Sequence, residues 1–251
     1  MMRMSDMVKH LLIINIIFFV GTMLVPEAQK LFSLYYFENP NFRIWQPLTH
    51  MFMHGGIGHI FFNMFALVSF GSVLESYWGS KKFLFFYFSC GIGAMLLHTG
   101  VNFIEFTSAK NILLDNGVTL EGINTLLQGG SISINSEDSL ILQRNINDMA
   151  MAYNVPVLGA SGAIYGLLAA FAFMFPNAEL ALMFIPVPIK AKYFVPGWIL
   201  LFDVIYGIFG TSLGFGNSGF GHFAHLGGAL IGFIMVYFWN KNQFDKNRWD
   251  R

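Results

Sequence analysis

The sequence predicts an all-α membrane protein, a bundle of six transmembrane helices. Two features of composition predict it. The 251 residues are 55% hydrophobic and only 11% charged, where an ordinary soluble domain carries about 25% charged residues. The apolar residues are also bunched into runs of about 20, the length that crosses a hydrocarbon core. Mean hydropathy is +0.56. The formal net charge is zero, from 14 basic and 14 acidic residues, so no basic domain points to nucleic acid. Cys90 is the only cysteine, which excludes an internal disulfide and a Cys-based metal site.

The six segments fall near 8–25, 57–76, 82–104, 157–175, 194–212 and 222–240. The first resembles the apolar part of a signal peptide, with Arg3 and Lys9 at its start. No small-x-small cleavage site follows it, so a retained span is expected. Lysine and arginine set the orientation. With the N-terminus inside, ten of these residues fall on the inner side and four on the outer, at Lys30, Arg43, Lys110 and Arg144. Both termini are therefore expected to be cytoplasmic. The lack of a transit-like leader points to a multi-pass protein of a prokaryotic plasma (inner) membrane. The chain reads as a single membrane domain over residues 1–251. Residues 26–56 form a first outer loop rich in aromatics, suited to the membrane interface. Residues 105–156 form a long polar outer loop, with a short amphipathic helix expected near 109–127.

A polar group inside a span is costly and needs a reason. The spans hold His59, Asn63, Glu75, His98, Ser161, Asp203, His222 and His225. His59 and Asn63 are four apart and share one helix face, as a hydrogen-bonded packing pair or as two donors aimed at one point. Ser161 lies in "GASGAIYG", where Gly162 and Gly166 form a small-xxx-small pair. That pattern serves close helix packing as well as it serves a nucleophile with space beside it. His225 lies in "GHFAHLGGALIG" on a face almost bare of other side chains. His222 sits on another face nearer the helix start, where water reaches it. Glu75 reads as a helix-end group, His98 as interfacial, and Asp203 as a relay or packing residue deep in its helix. His50, His54 and His59 do not keep one helical face, so no metal site is expected.

The combination carries more than its members. Counted along the helices at about 1.5 Å per residue, Ser161, Asn63 and His225 lie roughly 4–9 Å from the outer ends of their spans. A serine, a histidine on a close-packing helix and a pair of donors at one depth are the parts of acyl transfer.

Together, "WQPLTHMFMHGGIGHIFFNM", "GASG" with Tyr165 four on, and "AHLGGALIG" resemble the rhomboid family of intramembrane serine proteases. The likeness covers about residues 8–240 apart from the 105–156 loop. It implies a six-transmembrane-helix rhomboid bundle of the bacterial type. By position it implies Ser161 as nucleophile and His225 as general base. It implies His59, Asn63 and the Ser161 amide as oxyanion donors, Tyr165 as the ring supporting the histidine, and His54 and Trp45 as structural loop residues. One departure stands out. The family's Trp-Arg pair is Trp45-Gln46 here, and Arg43 is the candidate substitute for the loop-organising arginine. No carboxylate is expected near His225, so the expected engine is a Ser-His dyad. No cofactor, metal or nucleic acid is expected. The expected partners are the lipid bilayer and transmembrane protein substrates, cut near the outer membrane face. A channel or transporter using Asp203, Glu75 and the histidines is the rival class, and a silent family member that guides membrane proteins is a third.

Overall fold

The computed structural model describes residues 4–132, 139–182, 185–208 and 221–246. Helix α1 (Asp6–Leu24) begins on Glu75, which is almost fully buried. One Glu75 oxygen accepts from the Ser5 hydroxyl and, at 2.9 Å, from the Val8 amide. The other accepts from the Met7 amide at 3.0 Å and the Ser80 hydroxyl at 2.6 Å. A helix start leaves amides without intrahelical partners and carries partial positive charge, so one carboxylate there satisfies both. Its four donors fit the structural reading of Glu75 and leave the rival proton path without it. Glu75→Ala should lower stability by about 3 kcal/mol, because a buried and a part-buried amide lose their acceptor. Thermal denaturation in detergent tests this, and an unchanged midpoint would refute it.

Residues 26–56 carry α2 (Glu27–Phe32), α3 (Gln46–Thr49) and a 3-10 turn, His50–Phe52. Helices α4 (Ile57–Ala66) and α5 (Ser72–Trp78) are joined through a π-turn, Leu67–Gly71, into one 22-residue apolar rod. Helix α6 (Ser80–Asp115) is 36 residues long. It runs well past the expected end of the third span at 104. Helices α7 (Leu120–Leu127) and α8 (Ser139–Asn154) follow. The expected polar loop is therefore largely helical. Its reason is a small core of its own, with Leu113, Ile123, Leu142, Ile146 and Met149 packed around Phe106 and Tyr36. On α8 the buried positions 142, 146 and 149 recur at helical spacing, which shields one face while the other stays polar.

Helix α9 (Ser161–Met174) has only 14 residues. It starts four residues later than the expected fourth span. Gly159 turns the chain at φ +123°, and Leu34 and Val157 exchange backbone hydrogen bonds of 2.8 and 2.9 Å that hold residue 157 extended. Strands β1 (Glu179–Leu182) and β2 (Ile185–Lys190) form an antiparallel hairpin, the exception to the helical pattern among the described residues. Helix α10 (Ala191–Trp198) contains Pro196 and continues as a π-helical stretch, Ile199–Ile208. The last residues of the expected fifth span, 209–212, lie outside the described residues. Helix α11 (His222–Lys246) closes the bundle against α9 and α6.

The expectation of six spans is corrected to this extent. Among the described residues four helices are long and apolar enough to cross a membrane: α1, α4 with α5, α6 and α11. Helix α9 falls short because its first turn is given over to the Gly159 bend, and the fifth segment is divided between two helical forms. What stands is a multi-pass helical membrane bundle.

The α6, α9 and α11 axes meet along a seam of glycines. A Cβ on Gly232 of α11 would lie 2.6 Å from the Gly166 Cα and carbonyl oxygen of α9. One on Gly228 would fall on the Gly162 carbonyl, and one on Gly166 would fall on Cys90 of α6. Backbone therefore packs on backbone, which fixes the helices' separation and the distances between the side chains they carry.

Candidate active site

Ser161 is the first residue of α9. The Gly159 amide donates to the His50 carbonyl at 2.9 Å, tying the approach to α9 to the first loop. Ser161 Oγ lies 2.9 Å from His225 Nε2. The His225 ring stacks on Tyr165 with centroids 4.1 Å apart and planes 8° from parallel. Tyr165 is held in turn by the Trp198 indole, which donates to its hydroxyl at 3.2 Å. Because Ser161 opens the helix, its own amide is among those without an intrahelical acceptor.

The other edge of His225 corrects the expectation that no carboxylate reaches it. Asp203 Oδ1 lies 2.7 Å from His225 Nδ1 and 3.0 Å from His222 Nδ1. The Asp203 side chain is only 1% exposed. Apolar pattern gives the face of a helix but not its offset along a neighbour, and that offset brings Asp203 level with His225. His222, expected to be simply wet, points at the same oxygen. With Nδ1 facing a carboxylate, His225 carries its proton there, so Nε2 is the acceptor for the Ser161 hydroxyl.

His59 and Ser161 converge beside Gly159. The point a Gly159 Cβ would occupy is 2.9 Å from His59 Nε2 and 3.5 Å from Ser161 Oγ. His59 Nδ1 accepts the Gly55 amide at 3.4 Å, which leaves the proton on Nε2, the atom facing the site. Asn63 follows one turn further along α4. It is 6% exposed, and its buried Nδ2 has no hydrogen-bond partner among the described residues. A buried amide donor without an acceptor is costly.

The loop residues have definite tasks. His54 Nδ1 donates to the Phe52 carbonyl at 3.3 Å and its ring meets His59 edge-on at 5.1 Å. Burial, then the neighbouring His59, pushes the His54 pKa down to about 4, so it is neutral at pH 7. The Trp45 indole donates to the Leu31 carbonyl at 3.0 Å. Gln46 is fully buried. Its amide nitrogen donates to the Asn41 and Leu31 carbonyls at 2.9 and 3.2 Å, and its oxygen accepts the Tyr35 amide at 3.3 Å. Gln46 thus ties the first loop together without a charge. Arg43, the expected substitute, is exposed and among the described residues bonds the nearby Pro40 and Phe42 carbonyls.

Ser161, His225 and His59 line one wall of a cavity of about 1200 Å³. His98 and Asn102 of α6 and Gln143, Arg144 and Asp148 of α8 also line it. His98, expected at the interface, is buried and accepts the Asn102 amide at 3.1 Å. The cavity wall therefore presents a hydroxyl and two imidazoles, with the Asp203 carboxylate buried behind His225.

Comparison with known proteins agrees in kind. The family model of the rhomboid domain matches residues 41–107 and 128–242. The Presenilin-associated rhomboid-like protein, mitochondrial, of Homo sapiens is 27% identical over 214 residues, 84% of this chain and 43% of that protein. The Rhomboid protein 1, mitochondrial, of Saccharomyces cerevisiae is 37% identical over 87 residues, 34% of this chain and 23% of that protein. The chain spans less than half the length of either relative. These relatives correct two expectations. They are eukaryotic mitochondrial proteins, which overturns the assignment to a bacterial type. It equally overturns the placement in a plasma membrane with cytoplasmic termini, which rested on charge counts and on reading no leader at the N-terminus.

Proposed function

The chain belongs to the rhomboid family, and on that premise we propose that it is an intramembrane serine endopeptidase acting on transmembrane proteins. The observation that carries this is the 2.9 Å approach of Ser161 Oγ to His225 Nε2 on the wall of an open cavity. Nε2 takes the hydroxyl proton as Oγ attacks a peptide carbonyl. The His59 Nε2–H, the Asn63 amide and the Ser161 N–H receive the developing oxyanion, and a low-dielectric site makes each donor count for more. His225 then passes its proton to the leaving amine. Water entering by the cavity repeats the cycle on the acyl-enzyme, with His225 as base and Ser161 as leaving group. The chemistry calls on no cofactor.

A helical peptide bond is hydrogen-bonded and shielded, so the substrate must unwind near the membrane face where α4, α9 and α11 begin. Glycine or other weak helix formers near the cut lower that cost by about 1 kcal/mol each. A fluorophosphonate probe tests the reading. It should label Ser161 in the intact protein, as located by mass spectrometry, and should fail to label the His225→Ala variant. Equal labelling of that variant, or labelling that persists in Ser161→Ala, would refute it.

A further inference from the structure

We propose that Asp203 is a positioning residue that orients the His225 ring of the Ser161–His225 pair, with His222 holding the carboxylate in place; this rests on the serine-protease reading above. The Asp203–His225 separation of 2.7 Å is that of a charge-assisted hydrogen bond. A neutral imidazole has two tautomers, and only the one with a bare Nε2 can take the Ser161 proton. The carboxylate selects it by accepting the Nδ1 proton. When Nε2 gains the second proton, the imidazolium forms beside a buried anion and is stabilised. Asp203 keeps its charge throughout, and the proton moves only from Ser161 Oγ to His225 Nε2 and on to the leaving nitrogen.

His222 explains why the carboxylate stays where it is needed. Its Nδ1 lies 3.0 Å from the same oxygen, Oδ1, that serves His225. A buried carboxylate with a single donor is poorly compensated, and the second imidazole supplies another hydrogen bond. His222 sits three residues before His225 on α11, so the two histidines hold the carboxylate from one helix. A divalent metal is the competing occupant, since Asp203, His222 and His225 offer three ligand atoms within 4.8 Å of one another. Tetrahedral zinc with bonds of about 2.0–2.1 Å holds its ligand atoms about 3.3 Å apart. The 2.7 Å separation is too short for that and right for a shared proton.

The test is steady-state cleavage of a transmembrane reporter by purified full-length variants, with fluorophosphonate labelling in parallel. Asp203→Asn preserves shape but lets its amide donate to Nδ1, which favours the wrong tautomer. It should lower kcat by about 10²–10⁴-fold, with KM changed less than about threefold, and slow probe labelling in proportion. Asp203→Glu should restore part of kcat. If Asp203→Asn does not fold, His222→Asn is the second variant, expected to lose about tenfold in kcat at unchanged KM and near-unchanged melting temperature. Wild-type kcat in Asp203→Asn overturns the proposal while leaving the Ser161 assignment intact. So does wild-type kcat in a folded His222→Asn when Asp203→Asn is unfolded. Activity lost to a chelator and restored by zinc also overturns it. Failure of the wild-type protein to label at all would instead remove the protease reading itself.

Discussion

Replacing Ser161 with alanine should abolish cleavage, with turnover falling by about 10⁴–10⁶-fold. The oxyanion donors remain in the variant, but without Oγ no acyl-enzyme forms. Only attack by water across the same donors is left, and His225 has no hydroxyl to deprotonate. The protein should stay folded. Among the described residues Ser161 makes one side-chain hydrogen bond, to His225, and its loss costs about 1 kcal/mol. Alanine is also a good helix former at the start of α9. The measurement is cleavage of a reconstituted transmembrane substrate by variants of matched melting temperature. Residual turnover above a tenth of wild type would remove Ser161 as nucleophile. The same loss with an unfolded protein would not count, which is why the melting control belongs to the experiment.

The sequence made visible those residues that are exceptional inside a membrane. Ser161, His225, His59 and Asn63 stood out because each is polar in an apolar run, and their spacing from the helix starts put them at one level. Asp203 stood out for the same reason, yet its partners did not. Period gives the face a residue takes on its own helix, whereas the offset between two helices comes from packing. A signal did exist. A carboxylate in mid-span requires a partner, and the histidines of the next span are side chains that can donate to it.

Two other features were hidden wholly or in part. The single amphipathic helix expected near 109–127 is instead the end of α6, to Asp115, and the separate α7, Leu120–Leu127. The 105–156 stretch looks polar on average because α7 and α8 each bury one stripe, as Leu142, Ile146 and Met149 show, while their other faces meet water. Averaging over the stretch hides the stripe that periodicity would reveal. Gln46 looked like a loss because an arginine was expected there. It replaces a charge by geometry, using both ends of an amide against Asn41, Leu31 and Tyr35. No pattern in the sequence shows where those backbone groups converge.

The glycine seam carries the second large prediction. Gly228→Ala should lower kcat by about 10²-fold or more and destabilise the protein by about 1–3 kcal/mol. The added methyl would fall on the carbonyl oxygen of Gly162, the residue next to Ser161. A flexible side chain can swing aside, but this obstacle is helix backbone, so α11 itself must move away from α9. His225 is three residues from Gly228 and moves with it. A displacement of about 1 Å is enough to carry Nε2 out of hydrogen-bond range of Oγ, since the contact is 2.9 Å in the native arrangement. Gly21 supplies the control. It lies within α1, and a Cβ there meets nothing within 4 Å, so Gly21→Ala should leave kcat unchanged and raise stability by up to about 1 kcal/mol. Comparing the two variants separates the loss of a particular approach from the general effect of removing a helical glycine. Wild-type turnover in Gly228→Ala would mean that the α9–α11 approach does not set the Ser161–His225 distance. A loss of equal size in Gly21→Ala would point to the fold as a whole. The expected result, loss at one glycine and gain at the other, ties catalysis to the close backbone approach that the spacing of small residues marks.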